Sequence, residues 1–245
     1  MQRTNLSSIL NQLVKDNKLE KIDGRPVLYR FITLNQIEEE YNMIFQRMIG
    51  YNGSLKNAIK IVHSELMYPN KNYTFLLIGN SGVGKSESAK QLSKLLGRKL
   101  IRLDMSEYRD SSSVQKIIGA APGYVGYDKP SLLLGQLQTY PKSIILLDEI
   151  DKASQDVINL FLQVFDEGYL EDSHKRKVYF NNTIIIMTSN KGTAKNTLGF
   201  KKNNHSSKVK NFFSDELLSR IDEIINFKNL TKMDLKKIIR KNCPS

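Results

Sequence analysis

The sequence predicts an α/β fold: a three-layer parallel sheet with helices on both faces. Three observations carry this. Five short apolar runs, Tyr73–Ile78, Lys99–Leu103, Ser143–Leu147, Thr183–Thr188 and Glu223–Phe227, alternate with helical patterns. Short continuous apolar strands separated by helices indicate a parallel sheet covered on both sides. The first run opens into a glycine-rich turn, and the third ends in two adjacent acids.

The residues before Tyr73 read differently. Leu6, Ile9, Leu10, Leu13 and Val14 fall on one face of a helix over Thr4–Val14, with Thr4 or Asn5 as its cap. The stretch from Lys18 to Arg30 holds two short strand-like runs about Asp23-Gly24, a hairpin turn signal. Two amphipathic helices follow. Ile37, Tyr41, Ile44, Phe45 and Met48 form one apolar face, and Leu55, Ala58, Ile59, Val62 and Leu66 form the other. Pro69-Asn70-Lys71-Asn72 is a polar break before the first sheet strand.

A chain of 245 residues has room for one large domain or two smaller ones. With 40% hydrophobic and 25% charged residues it has the composition of a soluble globular protein. No apolar run approaches the ~18 residues of a membrane span. The N-terminus lacks the apolar core of a secretory signal, so a cytoplasmic location is expected. One cysteine, Cys243, makes no intrachain disulfide, and three scattered histidines, His63, His174 and His205, suggest no zinc site. The net charge of +12 gathers in Lys191–Lys210 and Lys228–Lys241, with few aromatics interleaved. This reads as a solvated loop and a basic helix face, with DNA or another phosphate-rich ligand as the alternative.

Gly79-Asn80-Ser81-Gly82-Val83-Gly84-Lys85-Ser86 matches G-x-x-x-x-G-K-[ST], with a strand entering it and a helix, Ser86–Leu96, leaving it. Glycines let the backbone curl so that successive N–H groups face phosphate oxygens, and the helix dipole adds to that field. Lys85 is expected on the β- and γ-phosphates of ATP and the Ser86 hydroxyl on Mg2+. Asp148 and Glu149 end the apolar run Ser143–Leu147, and two charges there are costly without a metal or a partner. Asp148 is the candidate for the Mg2+ water shell and Glu149 for polarising the attacking water.

Beyond the phosphate loop, several segments resemble the second ATPase module of the Clp family of AAA+ unfoldases. They are Arg102–Tyr108, Ile118–Asp128, Ile145–Ala153, Ile186–Asn190 and Arg220–Ile225, in the family's order. The resemblance implies that Asn190 is a polar sensor orienting the water. It implies that Arg220 is an arginine finger reaching nucleotide on a neighbouring subunit, in a homo-oligomer that is usually a hexameric ring. Tyr124 and Val125, between Gly123 and Gly126, resemble the pore loop that grips polypeptide substrates. Ile49 and Gly50 resemble the lining of the adenine pocket; on the residues alone Gly50 is equally a helix C-cap. Leu198-Gly199-Phe200 lies where such unfoldases dock a ClpP-type peptidase, and it reads equally as a loop folded onto the core. Lys129–Leu134 departs from the family's more glycine-rich stretch.

The chain divides on this reading into a winged-helix-like fragment (1–31), a helical linker that begins the ATPase module (32–70), an AAA+ core (71–230) and a truncated start of a helical lid (231–245). The helix and hairpin of 1–31 resemble part of LevR-type transcriptional activators, or form an appendage that binds no DNA. The expected function is ATP-driven remodelling or unfolding of proteins. The rivals are a DNA-binding regulator with an ATPase switch, and a nucleotide-binding remnant. The Gly-Ala-Phe-Thr-Gly-Ala sequence of sigma-54-type activators is absent.

Overall fold

A computed structural model describes residues 6–15, 19–22, 28–31, 72–120, 123, 124, 127, 131–191, 212–234 and 236. At the N-terminal end α1 (Leu6–Lys15) lies against β1 (Leu19–Ile22), which pairs antiparallel with β2 (Leu28–Phe31). The expected helix and hairpin are both present. The Asp23-Gly24 turn, the two helices expected between Ile37 and Leu66, and all of the basic stretch Lys191–Lys210 after Lys191 lie outside the described residues.

The sheet is built from β3 (Tyr73–Ile78), β4 (Lys99–Asp104), β5 (Ser143–Asp148), β8 (Ile184–Ser189) and β9 (Glu223–Asn226), in the order β4-β5-β8-β3-β9. All its pairings are parallel. Every residue of β3, β5 and β8 is buried, which is why these segments read as continuous apolar runs. Side chains alternate between two cores. Tyr73, Phe75, Leu77, Ile144 and Leu146 pack with Ala89 and Leu92 of α2 (Lys85–Leu96). Leu76, Ile78, Ile145 and Leu147 pack on the opposite side with Ile117 of α3 (Val114–Ile118), Leu133 of α4 (Leu132–Thr139) and Phe161 of α5 (Gln155–Glu167). Helices on both faces bear out the predicted fold class.

Most helix ends are specified locally. Gly97, at φ 60°, closes α2 as its N–H reaches Lys94 and that of Arg98 reaches Ser93. Ser131 and Ser154 cap α4 and α5 through Leu134 N–H and Val157 N–H. Gly168 ends α5 at φ 74°, where a Cβ would come within 2.6 Å of Asn181. A hairpin of β6 (Tyr169–Glu171) and β7 (Lys177–Tyr179) follows, and α6 (Asp215–Leu218) precedes β9. The expected strand from Thr183 starts instead at Ile184, because the Thr183 N–H and Oγ1 both bond Phe180 O in a turn. Thr231 opens the next helical turn: Thr231 N–H donates to Asp234 and Asp234 N–H returns to Thr231 Oγ1. Among the described residues no helix is long and apolar enough to cross a membrane.

Candidate functional site

Parallel pairing brings the ends of β3, β5 and β8 to one edge of the sheet: Leu147 registers with Met187, and Ile78 with Ser189. The carboxyl ends of parallel strands are where open α/β sheets hold ligands. Gly79–Ser86 leaves β3 at that edge and runs into α2. Its glycines are required for two different reasons. Gly82 and Gly84 take φ 78° and 100°, in open space, so conformation selects them. At Gly79 a Cβ would lie 2.8 Å from Phe227 Cβ and 3.0 Å from Val83 Cγ2, so space selects it. Asn80 donates to Asn229, Ser81 is exposed, and Val83 is buried under the loop.

Lys85 is 7% exposed, and its ammonium donates to Gly79 O (2.6 Å), Asn80 O (2.8 Å) and Asn190 Oδ1 (2.8 Å). Burial pulls it below the usual lysine pKa, while the charges of Asp148, Glu149 and Asp151 pull it back up. The cluster therefore holds a cation in a dry place with acids facing it.

Asp148 is the hub. Its Oδ1 accepts Ser86 Oγ at 2.8 Å and Thr188 Oγ1 at 2.6 Å. Its Oδ2 accepts the Arg102 fork at 3.1 and 2.7 Å. Thr188 Oγ1 also accepts the Glu149 N–H at 2.9 Å, so one hydroxyl ties the two acids to β8. Glu149 sits at φ 59°, a left-handed conformation uncommon outside glycine, which turns its side chain away from the line of β5. Asn190 Nδ2 donates to Glu149 Oε1 at 3.1 Å, and Lys152 pairs with Oε2. Lys85, Asn190 and Glu149 thus form one chain of hydrogen bonds.

The residues fit Mg2+ and a nucleotide triphosphate. A hydroxyl and a carboxylate in contact are hard oxygen donors, and the α2 N-terminus at Gly84 has no side-chain cap to compete with phosphate. Among the described residues no group of three or more His, Cys, Asp or Glu could hold a metal alone.

Arg220 does not join this network. Its Nε and Nη2 bond both Asp166 oxygens, at 2.6 and 2.7 Å, and its Nη1 bonds Glu216 O. The hydrogen bond holds the Asp166 carboxyl below its usual pKa. Tyr124 is 67% exposed beside Gly123 at φ 88°. Ile49, Gly50, Val125, Leu198, Gly199 and Phe200 lie outside the described residues. Sequence reasoning missed the parts of Thr188, Arg102 and Lys152. Each lies inside a segment singled out for its resemblance; the partner of Thr188 and Arg102 is visible only from the strand register, while Lys152 lies three residues from Glu149.

The family model of the AAA domain (Cdc48 subfamily) matches residues 70–224. The chain is similar to the chaperone protein ClpB of Mycoplasmoides gallisepticum, with 43% identity over 199 residues, covering 78% of this chain and 28% of that protein. Against ClpB of Malacoplasma penetrans identity is 39% over 246 residues, covering 94% of this chain and 35% of that protein. Against ClpE, the ATP-dependent Clp protease ATP-binding subunit of Streptococcus pneumoniae, it is 47% over 177 residues, covering 68% and 24%. Of solved structures, the closed-state cryo-EM reconstruction of Hsp104 with ATPγS and FITC casein superposes with TM-score 0.71 and 31% identity, covering 86% of this chain and 39% of that chain. The chain thus spans 24–35% of the length of these three relatives.

Proposed function

The chain belongs to the AAA domain family, Cdc48 subfamily, and from that premise we propose that it is an ATP-hydrolysing module that remodels or unfolds polypeptides within a ring of such modules. The observation that supports this best is the continuous network joining Lys85, Asn190, Glu149, Thr188, Asp148 and Ser86 at the edge of the sheet. Ser86 and Asp148 would hold Mg2+, whose charge offsets that of the phosphates. Gly79–Gly84 and Lys85 bind the phosphates, Glu149 draws the proton from the attacking water, and Asn190 keeps Glu149 aimed. Arg220, freed from the exposed Asp166 pair, serves the nucleotide of a neighbouring subunit. Native mass with and without ATP tests the ring; a chain that stays monomeric with ATP removes that role for Arg220.

Tyr124, exposed on a glycine-flanked loop, is the candidate grip on substrate. Tyr124→Ala is expected to leave ATP binding unchanged and to weaken the binding of an unfolded protein such as fluorescein-labelled casein about tenfold or more, as for a lost aromatic anchor. Undiminished casein binding would reduce the loop to a turn.

A second reading concerns α1 and the β1–β2 hairpin, whose order and basic residues Lys21 and Arg30 resemble the DNA-reading half of a winged helix. Binding of duplex DNA that weakens steeply with salt supports it, and its absence leaves an appendage. Docking of a ClpP-type peptidase through Leu198-Gly199-Phe200 is tested by co-sedimentation with and without Phe200→Ala.

A further inference from the structure

We propose that the β6–β7 turn is the seat of the Tyr124 loop, with His174 and Asp172 as positioning residues for the gripping of polypeptide. The proposal rests on the reading of Tyr124 above and assigns the residues that hold it in place. The loop is fastened on both sides of Tyr124. On the side that enters it, Ser173 N–H donates to Ile118 O at 2.9 Å. There Gly119 turns at φ 102°, a conformation that favours glycine, and a Cβ would press on the Ser173 side chain, 2.7 Å from its Oγ. On the side that leaves it, the Tyr127 ring stacks on the His174 imidazole, with centroids 4.3 Å apart and planes 26° from parallel. The Tyr127 N–H closes on Tyr124 O at 3.2 Å, so the stacked ring and the exposed ring belong to one short turn.

The seat is itself braced. Asp172 is buried, and its Oδ1 accepts the N–H groups of His174 and Arg176, each at 2.9 Å. Its Oδ2 accepts Arg176 Nε at 2.8 Å. Burial pushes the carboxyl up, and the hydrogen bonds from Arg176 and His174 more than reverse it, leaving Asp172 ionised and fixed. An aromatic on a tethered loop grips well only when the loop is ordered beforehand, because ordering it on contact costs entropy. The braced turn does that ordering, through the Ser173 hydrogen bond on one side of Tyr124 and the His174 ring contact on the other.

His174 is exposed, so its replacement tests the seat without threatening the core. In the full chain, His174→Ala is expected to speed amide hydrogen exchange at Tyr127 and to weaken labelled-casein binding about three- to tenfold, the worth of an aromatic pair. His174→Phe is expected to restore both, and a fluorescent ATP analogue to bind all three proteins alike. In a Tyr124→Ala background His174→Ala is expected to add nothing to the loss. Unchanged exchange and affinity in His174→Ala would overturn the seat, as would a casein loss that persists undiminished without Tyr124. If Tyr124→Ala alone leaves casein bound, the gripping reading falls, and the positioning role falls with it, even where Tyr127 exchange shows the stack intact.

Discussion

Lys85→Ala loses measurable nucleotide binding. Lys85 is the cation at the centre of the phosphate loop, buried and using its three N–H donors on Gly79 O, Asn80 O and Asn190 Oδ1. An arriving triphosphate takes over some of these donors as charge-assisted bonds, which contribute about 1.5–3 kcal/mol each. Losing two of them weakens binding by about 100-fold or more. The variant also frees two loop carbonyls, so a second substitution, Lys85→Met, keeps the bulk of the stem while removing the charge. Titration of a fluorescent ATP analogue by anisotropy measures both. Tight binding by either variant would remove the phosphate-site assignment, and a loss in Ala but not Met would make packing its cause.

The features legible in the sequence share a physical origin: they are local. A strand buried on both faces carries its burial in its own residues, as β3, β5 and β8 do. Gly82 and Gly84 announce a left-handed backbone that other residues avoid. Ser131 and Ser154 cap their helices just as locally, each hydroxyl accepting a backbone N–H three residues on. What stayed hidden depends on register between strands far apart in the chain. Thr188 reaches Asp148 across 40 residues, and Arg102 reaches it across 46 from the edge strand β4. No periodicity encodes such a pairing. The same holds for Arg220, whose intrachain partner Asp166 lies 54 residues earlier, and for the stack of Tyr127 on His174. The acid pair and Asn190 could be recognised as chemistry, but Thr188 and Arg102, which hold Asp148, could not.

Glu149→Gln is the sharpest separation of binding from chemistry that the site offers. The amide is nearly isosteric with the carboxylate, and its Oε1 can still accept Asn190 Nδ2. The left-handed backbone at residue 149 and the Thr188 bond to its N–H do not depend on the side chain. The pair with Lys152 is lost, but that pair is partly exposed and contributes at most about 1 kcal/mol. The fold and the phosphate cradle therefore survive, and the affinity for ATP stays within about twofold, because Glu149 touches neither Lys85 nor Ser86 and only the screened charge at the site changes. What disappears is the carboxylate proposed to accept a proton from water, a contribution of about 10²–10⁴ in rate. Single-turnover hydrolysis of radiolabelled ATP, measured beside binding, is expected to show that fall with binding retained. Lys152→Ala serves as the control, since it removes the same pair and leaves the carboxylate. If Lys152→Ala slows hydrolysis as much as Glu149→Gln does, the charge of the pair and not the base is responsible. If Glu149→Gln hydrolyses ATP at the parent rate, the proton acceptor lies elsewhere at this edge of the sheet, and Asp151, held by Ser189, is the next acid to test.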